Sequence, residues 1–211
     1  MEPEVIPAIL VKRREDLLEH ISRVKGLVST VHIDVMDNEF VPNATVGPDD
    51  FKGLPADMKY EFHWMVKQPE KWIEKVPGKH LHVVHIEAVE DWNAIKAACK
   101  KSGGTLGIAI SPATPLTKLE PVMKDVSMIL VMSVTPGFDG QKYIQQVEGR
   151  LRELKNKYPK MMIEIDGGIG PATAGRAASA GADRLAAASA IYSQPDAKKA
   201  IQGIKEAAKK K

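Results

Sequence analysis

The chain has 211 residues, a formal net charge of +3 and an apolar fraction of 44%, which are ordinary values for a soluble globular protein. No apolar run approaches the length of a membrane-spanning helix, the opening Met1-Glu2-Pro3-Glu4 lacks the build of a signal peptide, and no basic stripe is interleaved with aromatic residues. We therefore expect a cytoplasmic protein that binds neither a membrane nor nucleic acid.

Eight short apolar runs alternate with helical patterns along the chain. Helical patterns include residues 14–24 and 141–155, each with an apolar face at helical spacing. This alternation is typical of repeated βα units around a parallel sheet, and no linker rich in Pro, Gly or Ser divides it. The chain therefore predicts a single (β/α)8 TIM barrel over residues 1–211, with its active site at the C-terminal ends of the strands. The predicted strands are residues 5–10, 30–36, 60–66, 81–87, 106–111, 128–134, 161–166 and 184–188.

The second run lies within VHIDVMDNEFVPN and carries polar side chains where a strand buried on both faces should be apolar. Alternation places His32, Asp34 and Met36 on one face of the strand, and Ile33 and Val35 on the other. Because a buried charge without a partner is costly, the pattern predicts a bound group, such as a divalent metal, that satisfies the imidazole and the carboxylate.

Further candidate ligands lie where other strands end. His63 lies near the end of the third run and Asp166 at the end of the seventh, and in a barrel of this type those ends meet at one mouth. Imidazole nitrogens and carboxylate oxygens without a thiolate suit Zn, Fe, Mn or Co. We expect one divalent metal ion at His32, Asp34, His63 and Asp166, although a lone strand histidine such as His63 is more often a hydrogen-bonded core residue.

The remaining polar residues near the fourth run are interpreted differently. His80 and His82 precede or begin that run, at the opposite end of the barrel, and are predicted to be surface or packing residues. His85 and Glu87 face the mouth, where they either support the metal ligands through hydrogen bonds or have a structural role.

Glycine-rich turns follow the sixth and seventh runs, and a short polar turn follows the eighth. Barrels of this type commonly hold phosphate in the loops after strands seven and eight, through backbone N–H groups. A glycine can instead merely permit a tight turn, but three such turns beside a metal site favour a phosphate pocket. The predicted phosphate-binding residues are Gly137, Phe138, Asp139, Gly140, Gly167, Gly168, Ala188 and Ser189.

Six segments carry a resemblance to a known family: HIDVMDNEFVPN, HWMV, HIEA, MSVTPGFDGQ, IEIDGGI and ASAIY. In these segments, and over nearly its whole length, the chain resembles the ribulose-phosphate 3-epimerase family. The resemblance implies a homo-oligomeric isomerase of the pentose phosphate pathway that acts on a sugar phosphate. It places the metal on His32, Asp34, His63 and Asp166, with His63 also beside the substrate, and lines the site with Ala8, Met36, Met65 and Met132.

The implied reaction interconverts D-ribulose 5-phosphate and D-xylulose 5-phosphate at C3. The metal acts as a Lewis acid on the C2 ketone and stabilises the developing enediolate. Inversion requires two proton carriers on opposite faces of that planar intermediate, and Asp34 and Asp166 arrive from separate strands. By the resemblance, Asp34 takes the proton and Asp166 gives it.

Several positions depart from the family pattern. Ala8 stands in place of a serine, and Asp139 and Ala188 stand in place of glycines. These changes concern the substrate pocket more than the proton-transfer residues. Two alternatives therefore stay open: an epimerase for a related ketose phosphate such as allulose 6-phosphate, and a non-catalytic, metal-bearing barrel that binds sugar phosphate.

Overall fold

The computed structural model describes residues 2–138 and 140–209. Their eight strands are parallel and close into a barrel in sequence order, with the last strand paired to the first. The predicted (β/α)8 barrel is confirmed. The strands are β1 Glu4–Ile9, β2 Thr30–Met36, β3 Lys59–Met65, β4 Leu81–His85, β5 Thr105–Ile110, β6 Met128–Met132, β7 Met162–Asp166 and β8 Arg184–Ala187.

The helices cover the outside of the barrel less regularly than simple alternation predicts. After β2 and β5 the chain forms the 3-10 turns Pro48–Phe51 and Leu116–Val122 in place of α-helices. Pro121 lies inside the second turn, where its missing N–H opposes a longer α-helix. No helix in the described ranges combines the length and apolarity needed to cross a bilayer. The α-helices are α1 Arg14–Val24, α2 Pro69–Ile73, α3 Trp92–Ser102, α4 Val147–Lys157, α5 Ala174–Ser179, α6 Ser189–Tyr192 and α7 Ala197–Lys209.

The helix predicted over residues 141–155 begins later, at Val147. The preceding segment is held by tertiary hydrogen bonds instead: the Ile144 N–H donates to the carbonyl of Ser133 at 2.8 Å, and Gln141 Nε2 donates to the carbonyls of Thr135 and Phe138 at 2.6 and 2.9 Å. Ile144 still packs against the core. The position of Ile144 at helical spacing from the apolar residues of α4 therefore reflects burial in the core and not a turn of helix.

Register between neighbouring strands sets the levels inside the barrel. Side chains alternate along each strand, so one set packs outward under the helices and the other points into the barrel interior. Part of the interior set is polar. The inward-facing pairs in register are Asp34 with His63, His32 with Glu61, and Glu164 with Arg184.

His82 lies at the start of β4 and is fully buried. Trp64 Nε1 donates to His82 Nδ1 at 3.2 Å, so His82 Nε2 carries the proton and faces Ser102 Oγ at 3.3 Å. Ser102 Oγ donates in turn to the carbonyl of Cys99 at 2.8 Å. Burial, with the neighbouring charge of His80, lowers the pKa of His82 to about 3. His82 is therefore a neutral packing residue.

Candidate active site

Four side chains from three strands meet inside the mouth of the barrel. Asp34 Oδ1 lies 3.2 Å from His32 Nε2 and 2.8 Å from His63 Nδ1, and Asp166 Oδ2 lies 3.9 Å from His63 Nδ1. One ligand atom from each of the four residues lies within 4.8 Å of the others. The structure thus brings together all four residues predicted as metal ligands.

The charge states of Asp34 and His63 suit metal binding. Burial alone would raise the pKa of Asp34, but the charge of His32 and hydrogen bonds from both imidazoles hold that pKa well below its usual range. Burial lowers the pKa of His63 to about 4, in spite of its hydrogen bond with Asp34. At neutral pH the carboxylate is therefore ionised and the His63 imidazole neutral, which are the forms that bind a metal.

His63 is held from the side by a chain of hydrogen bonds. His63 Nε2 lies 2.8 Å from His85 Nε2, and His85 Nδ1 lies 3.0 Å from Glu87 Oε2. Burial would raise the pKa of Glu87, but hydrogen bonds from His85, Thr114 and the Ser111 amide lower it to about 2. Glu87 accepts a hydrogen bond from the N–H at His85 Nδ1, and His85 Nε2 can then accept one from the N–H at His63 Nε2; in that tautomer His63 Nδ1 faces Asp34 with its free electron pair.

His32 is held from below by two buried carboxylates. His32 Nδ1 lies 2.8 Å from Glu61 Oε1 and 3.2 Å from Glu164 Oε1, and all three residues are at most 1% exposed. The charge of Asp34 and hydrogen bonds with Asp34, Glu164 and Glu61 outweigh burial and raise the pKa of His32 well above its usual value. Carboxylates accept at Nδ1, so the free electron pair of a neutral His32 lies on Nε2, beside Asp34.

These contacts test whether the residues fit a metal. With a metal bound, both imidazoles would be neutral and would present an unprotonated nitrogen on the side of Asp34, in place of the hydrogen bonds that they share with Asp34 Oδ1, and a cation between these atoms would satisfy all three. Two nitrogens and two carboxylate oxygens form an ordinary four-ligand set for a divalent ion. The donor set therefore fits the expected metal, and it does not distinguish Zn from Fe, Mn or Co.

Arg184 completes the floor beneath His32. Its Nη1 donates to Glu61 Oε2 at 2.6 Å and forms an ion pair with Glu164 Oε2 at 2.9 Å. Burial would raise the pKa of Glu61, but His32 and Arg184 lower it to about 2, whereas burial and the charge of Glu61 raise the pKa of Glu164 to about 8. Sequence reasoning missed Arg184. Strand alternation places Glu61 on the same face as His63, and Glu164 on the same face as Asp166, so both carboxylates face inward.

A cavity of about 440 Å³ opens above the four-residue cluster. Asp34 and Asp166 are the members of the cluster that line it; the two imidazoles are fully buried. Met36, Met65 and Met132 line it as well. Ala8, predicted to line the site, is buried one level lower, in register with His32.

The predicted phosphate turns border the same cavity. Gly168 has a φ of 61°, and a Cβ there would lie 2.8 Å from the backbone nitrogen of Tyr143, so the turn requires glycine. Asp139 lies outside the described residues. Predicted turn residues that line the cavity are Gly137, Phe138, Gly140, Gly167, Gly168, Ala188 and Ser189.

Two residues that sequence reasoning missed hold these turns in place. Asn43 Nδ2 donates to the carbonyl of Gly137 at 2.9 Å. Ser133 Oγ donates to the carbonyls of Asp166 and Gly167 at 2.9 and 2.5 Å. Both residues lie within the motifs that carry the family resemblance, but nothing in their spacing indicates these partners.

Comparison with known proteins now identifies the family. The model of the ribulose-phosphate 3-epimerase family matches residues 4–192. The chain belongs to the ribulose-phosphate 3-epimerase family. The ribulose-phosphate 3-epimerase of Bacillus subtilis is 36% identical over 96% of this chain and 98% of its own length, and that of Escherichia coli K12 is 35% identical over 96% and 93%. The prediction of an isomerase of this family is confirmed.

More distant solved structures share the fold. The 3-keto-L-gulonate-6-phosphate decarboxylase of Vibrio cholerae covers 98% of this chain and 97% of its own, with a TM-score of 0.72 at 13% identity. The 3-hexulose-6-phosphate synthase of Salmonella typhimurium covers 97% of both chains, with a TM-score of 0.71 at 17% identity. At these identities the likeness extends to the barrel alone.

Proposed function

We propose that this protein is a metal-dependent epimerase that interconverts D-ribulose 5-phosphate and D-xylulose 5-phosphate at C3. The observation that carries the proposal is one cavity lined by Asp34, Asp166 and the predicted phosphate turns, with two buried histidines directly beneath it. Family membership supports the pentose phosphate as substrate. The reaction is an abstraction of a proton next to a ketone, followed by its return on the other face.

His32, Asp34, His63 and Asp166 would hold one divalent ion. When bound, such an ion polarises the ketone and stabilises negative charge that develops on the neighbouring oxygens. His32 and His63 would serve as ligands only, because both are fully buried below the cavity, and the predicted contact of His63 with substrate is therefore not part of this proposal. Asp34 and Asp166 have a second role, because they also reach the space in which the sugar would lie.

The two carboxylates supply the proton carriers. Asp34 lies two residues before the end of β2 and Asp166 ends β7, three strands apart around the closed barrel. A flat enediolate between them would face one carboxylate on each side, so that one removes the C3 proton and the other returns a proton to the opposite face. We assign removal to Asp34 and return to Asp166 in the direction that starts from ribulose 5-phosphate.

The remaining lining provides shape and exclusion of water. Met36, Met65 and Met132 are at most 2% exposed and give the cavity a polarisable apolar wall. Gly137, Phe138 and Gly140, the pair Gly167-Gly168, and Ala188 with Ser189 border the side on which we place the phosphate. The methionines would shield the intermediate from water, and the turns would fix the distance from phosphate to C3.

The test is an NMR assay with purified protein, a divalent metal and D-ribulose 5-phosphate in deuterated water. We expect D-xylulose 5-phosphate to form with deuterium at C3. We also expect a chelator to stop both signals and added metal to restore them. Metal-loaded protein that neither epimerises nor exchanges this proton would contradict the proposal.

Two further outcomes of these measurements would replace the proposed function with one of the two alternatives. Faster turnover of D-allulose 6-phosphate than of the pentose phosphate would assign the six-carbon ketose as substrate. Binding of ribulose 5-phosphate without any exchange at C3, measured on the same metal-loaded sample, would identify a non-catalytic binding barrel.

A further inference from the structure

Arg184 is the only arginine of the described residues that pairs with carboxylates inside the barrel. It opens β8, and its residue exposure is 7%. Nη1 contacts Oε2 of Glu61 at 2.6 Å and Oε2 of Glu164 at 2.9 Å, and Nε lies 3.3 Å from Oε2 of Glu4 at the rim. Because a buried guanidinium is costly unless paired, its position depends on these carboxylates.

The same two carboxylates reach His32 with their other oxygens. Oε1 of Glu61 and Oε1 of Glu164 lie 2.8 and 3.2 Å from His32 Nδ1. Each carboxylate therefore bridges Arg184 on one side and His32 on the other. The guanidinium lies within 2.9 Å of one oxygen of each carboxylate and so holds both groups under the imidazole.

We propose that Arg184 is a positioning residue for the metal site: through Glu61 and Glu164 it holds His32 with the Nδ1 proton facing the floor and Nε2 facing Asp34. The inference rests on the proposed function, because it requires the metal at Nε2. Groups that hydrogen-bond to a ligating histidine fix its tautomer and ring orientation, and their loss typically weakens metal binding about 10–100-fold. Arg184 lies one step further out, beyond the two carboxylates.

A simpler role for Arg184 would be to close the floor of the barrel. In that role its removal would lower stability and leave metal affinity unchanged once the protein is folded. A positioning role predicts a loss of affinity in folded protein. The two roles therefore separate in a metal-binding measurement that does not depend on turnover.

The test compares zinc affinity in Arg184→Met, Arg184→Lys and Lys155→Met by competition with a chromophoric chelator in the absence of substrate. Methionine keeps much of the side-chain length of Arg184 beside Met128, whose Sδ lies 3.3 Å from Nη1. Lysine keeps the positive charge but lacks the planar guanidinium that can donate to two carboxylates at once. Lys155→Met is the matched control, because Lys155 pairs with Asp183 at 2.7 Å, next to Arg184 in sequence and away from His32. Circular dichroism and thermal unfolding of the metal-free proteins report folding.

We expect zinc binding about tenfold weaker or more in Arg184→Met, a smaller loss in Arg184→Lys, and a change below twofold in Lys155→Met. Folded Arg184→Met with wild-type zinc affinity would overturn the inference. If that variant does not fold, Arg184→Lys decides: affinity equal to wild type overturns the inference, and a threefold or larger loss supports it. Wild-type protein that binds zinc but does not epimerise would contradict the proposed function alone, and wild-type protein without zinc affinity would overturn both.

Discussion

The interior of this barrel handles buried charge in two ways, one at the mouth and one at the floor. At the mouth, carboxylates face two imidazoles, each of which has one ring nitrogen within hydrogen-bond distance of Asp34 Oδ1. At the floor, Glu61 and Glu164 face the guanidinium of Arg184, a cation that belongs to the chain. His32 belongs to both clusters. In the functions proposed above, the floor stabilises the barrel and orients His32, whereas the mouth would bind the metal and carry out the chemistry.

The largest effect that this division predicts is on catalysis at the mouth. Asp34→Asn and Asp166→Asn should each lower kcat by roughly a thousandfold, because each removes a proton carrier as well as a metal ligand. Metal-free Asp166→Asn should unfold at nearly the wild-type temperature, whereas metal-free Asp34→Asn should be less stable, because it loses the charge that pairs with His32 inside the barrel. The checks are turnover of ribulose 5-phosphate and C3 exchange on samples of known metal content. A folded, metal-loaded variant that keeps more than a tenth of wild-type kcat would assign the proton transfer elsewhere.

The next effect concerns stability at the floor. Glu61→Ala leaves Arg184 without its shortest ion pair, and breaking a buried pair in this way costs roughly 3–5 kcal/mol of unfolding free energy. Glu74→Ala is the control, since its pair with Lys101 has side chains 46% and 70% exposed, and exposed pairs contribute less than about 1 kcal/mol. Urea denaturation of the metal-free proteins measures both. Equal losses would show that the floor network does not stabilise the barrel.

A smaller effect is expected from the hydrogen bonds that hold His63. His85→Gln removes the imidazole that accepts a hydrogen bond from His63 Nε2. It should weaken zinc binding about tenfold, the lower end of the roughly 10–100-fold range for the loss of a hydrogen bond to a metal-ligating histidine. His80→Gln serves as control, because His80 is half-buried at the opposite end of the barrel and packs edge-on against Phe62. Zinc competition without substrate gives the comparison. Equal affinity in both variants would assign His85 a structural role.

The smallest effect is acid sensitivity away from both clusters. Burial lowers the pKa of His82 to about 3, below the usual value of about 6.5. Between these two pH values His82 is neutral in the folded protein and protonated in the unfolded chain. The stability that neutral His82 contributes is complete above pH 6.5 and is lost as pH falls toward 3. Between pH 6.5 and 5.5 the loss is about 1 kcal/mol.

The measurement for His82 is the unfolding free energy of metal-free protein at both pH values, for wild type and His82→Gln. The variant should lose about 1 kcal/mol less than wild type over this interval. An identical slope in the two proteins would mean that the folded protein protonates His82 as easily as the unfolded chain does.

The positions of the polar residues at the mouth could be predicted from the sequence, because they depend on local patterns. Alternation placed His32 and Asp34 on one face of β2, and parallel strands that end at one mouth predicted the approach of His63 and Asp166. The gathering of these four residues follows, and the structure bears out their proximity. The roles of the four residues stay predictions until metal binding and turnover are measured.

Where local spacing competes with tertiary contacts, the sequence alone misleads. Residues 141–146 have helical spacing, yet Gln141 and Ile144 hydrogen-bond to the loop after β6 and to Ser133, and α4 begins at Val147. The run predicted as strand over residues 81–87 ends at His85, and Glu87 lies in a 3-10 turn. In both places the backbone conformation follows from tertiary contacts and not from the local spacing of apolar residues.

The sequence by itself determined the eight-unit barrel, the family and the four residues of the mouth, because these depend on short periodicities and on motifs in a fixed order. The ion pairs of the floor could be found only from the tertiary structure. Arg184 follows Gly181-Ala182-Asp183 with no pattern that marks it, and it meets Glu61 because β8 closes the barrel beside β1. The physical reason is range: side-chain alternation is set by neighbouring residues, whereas the pairing of charges across the interior is set by closure of the whole sheet.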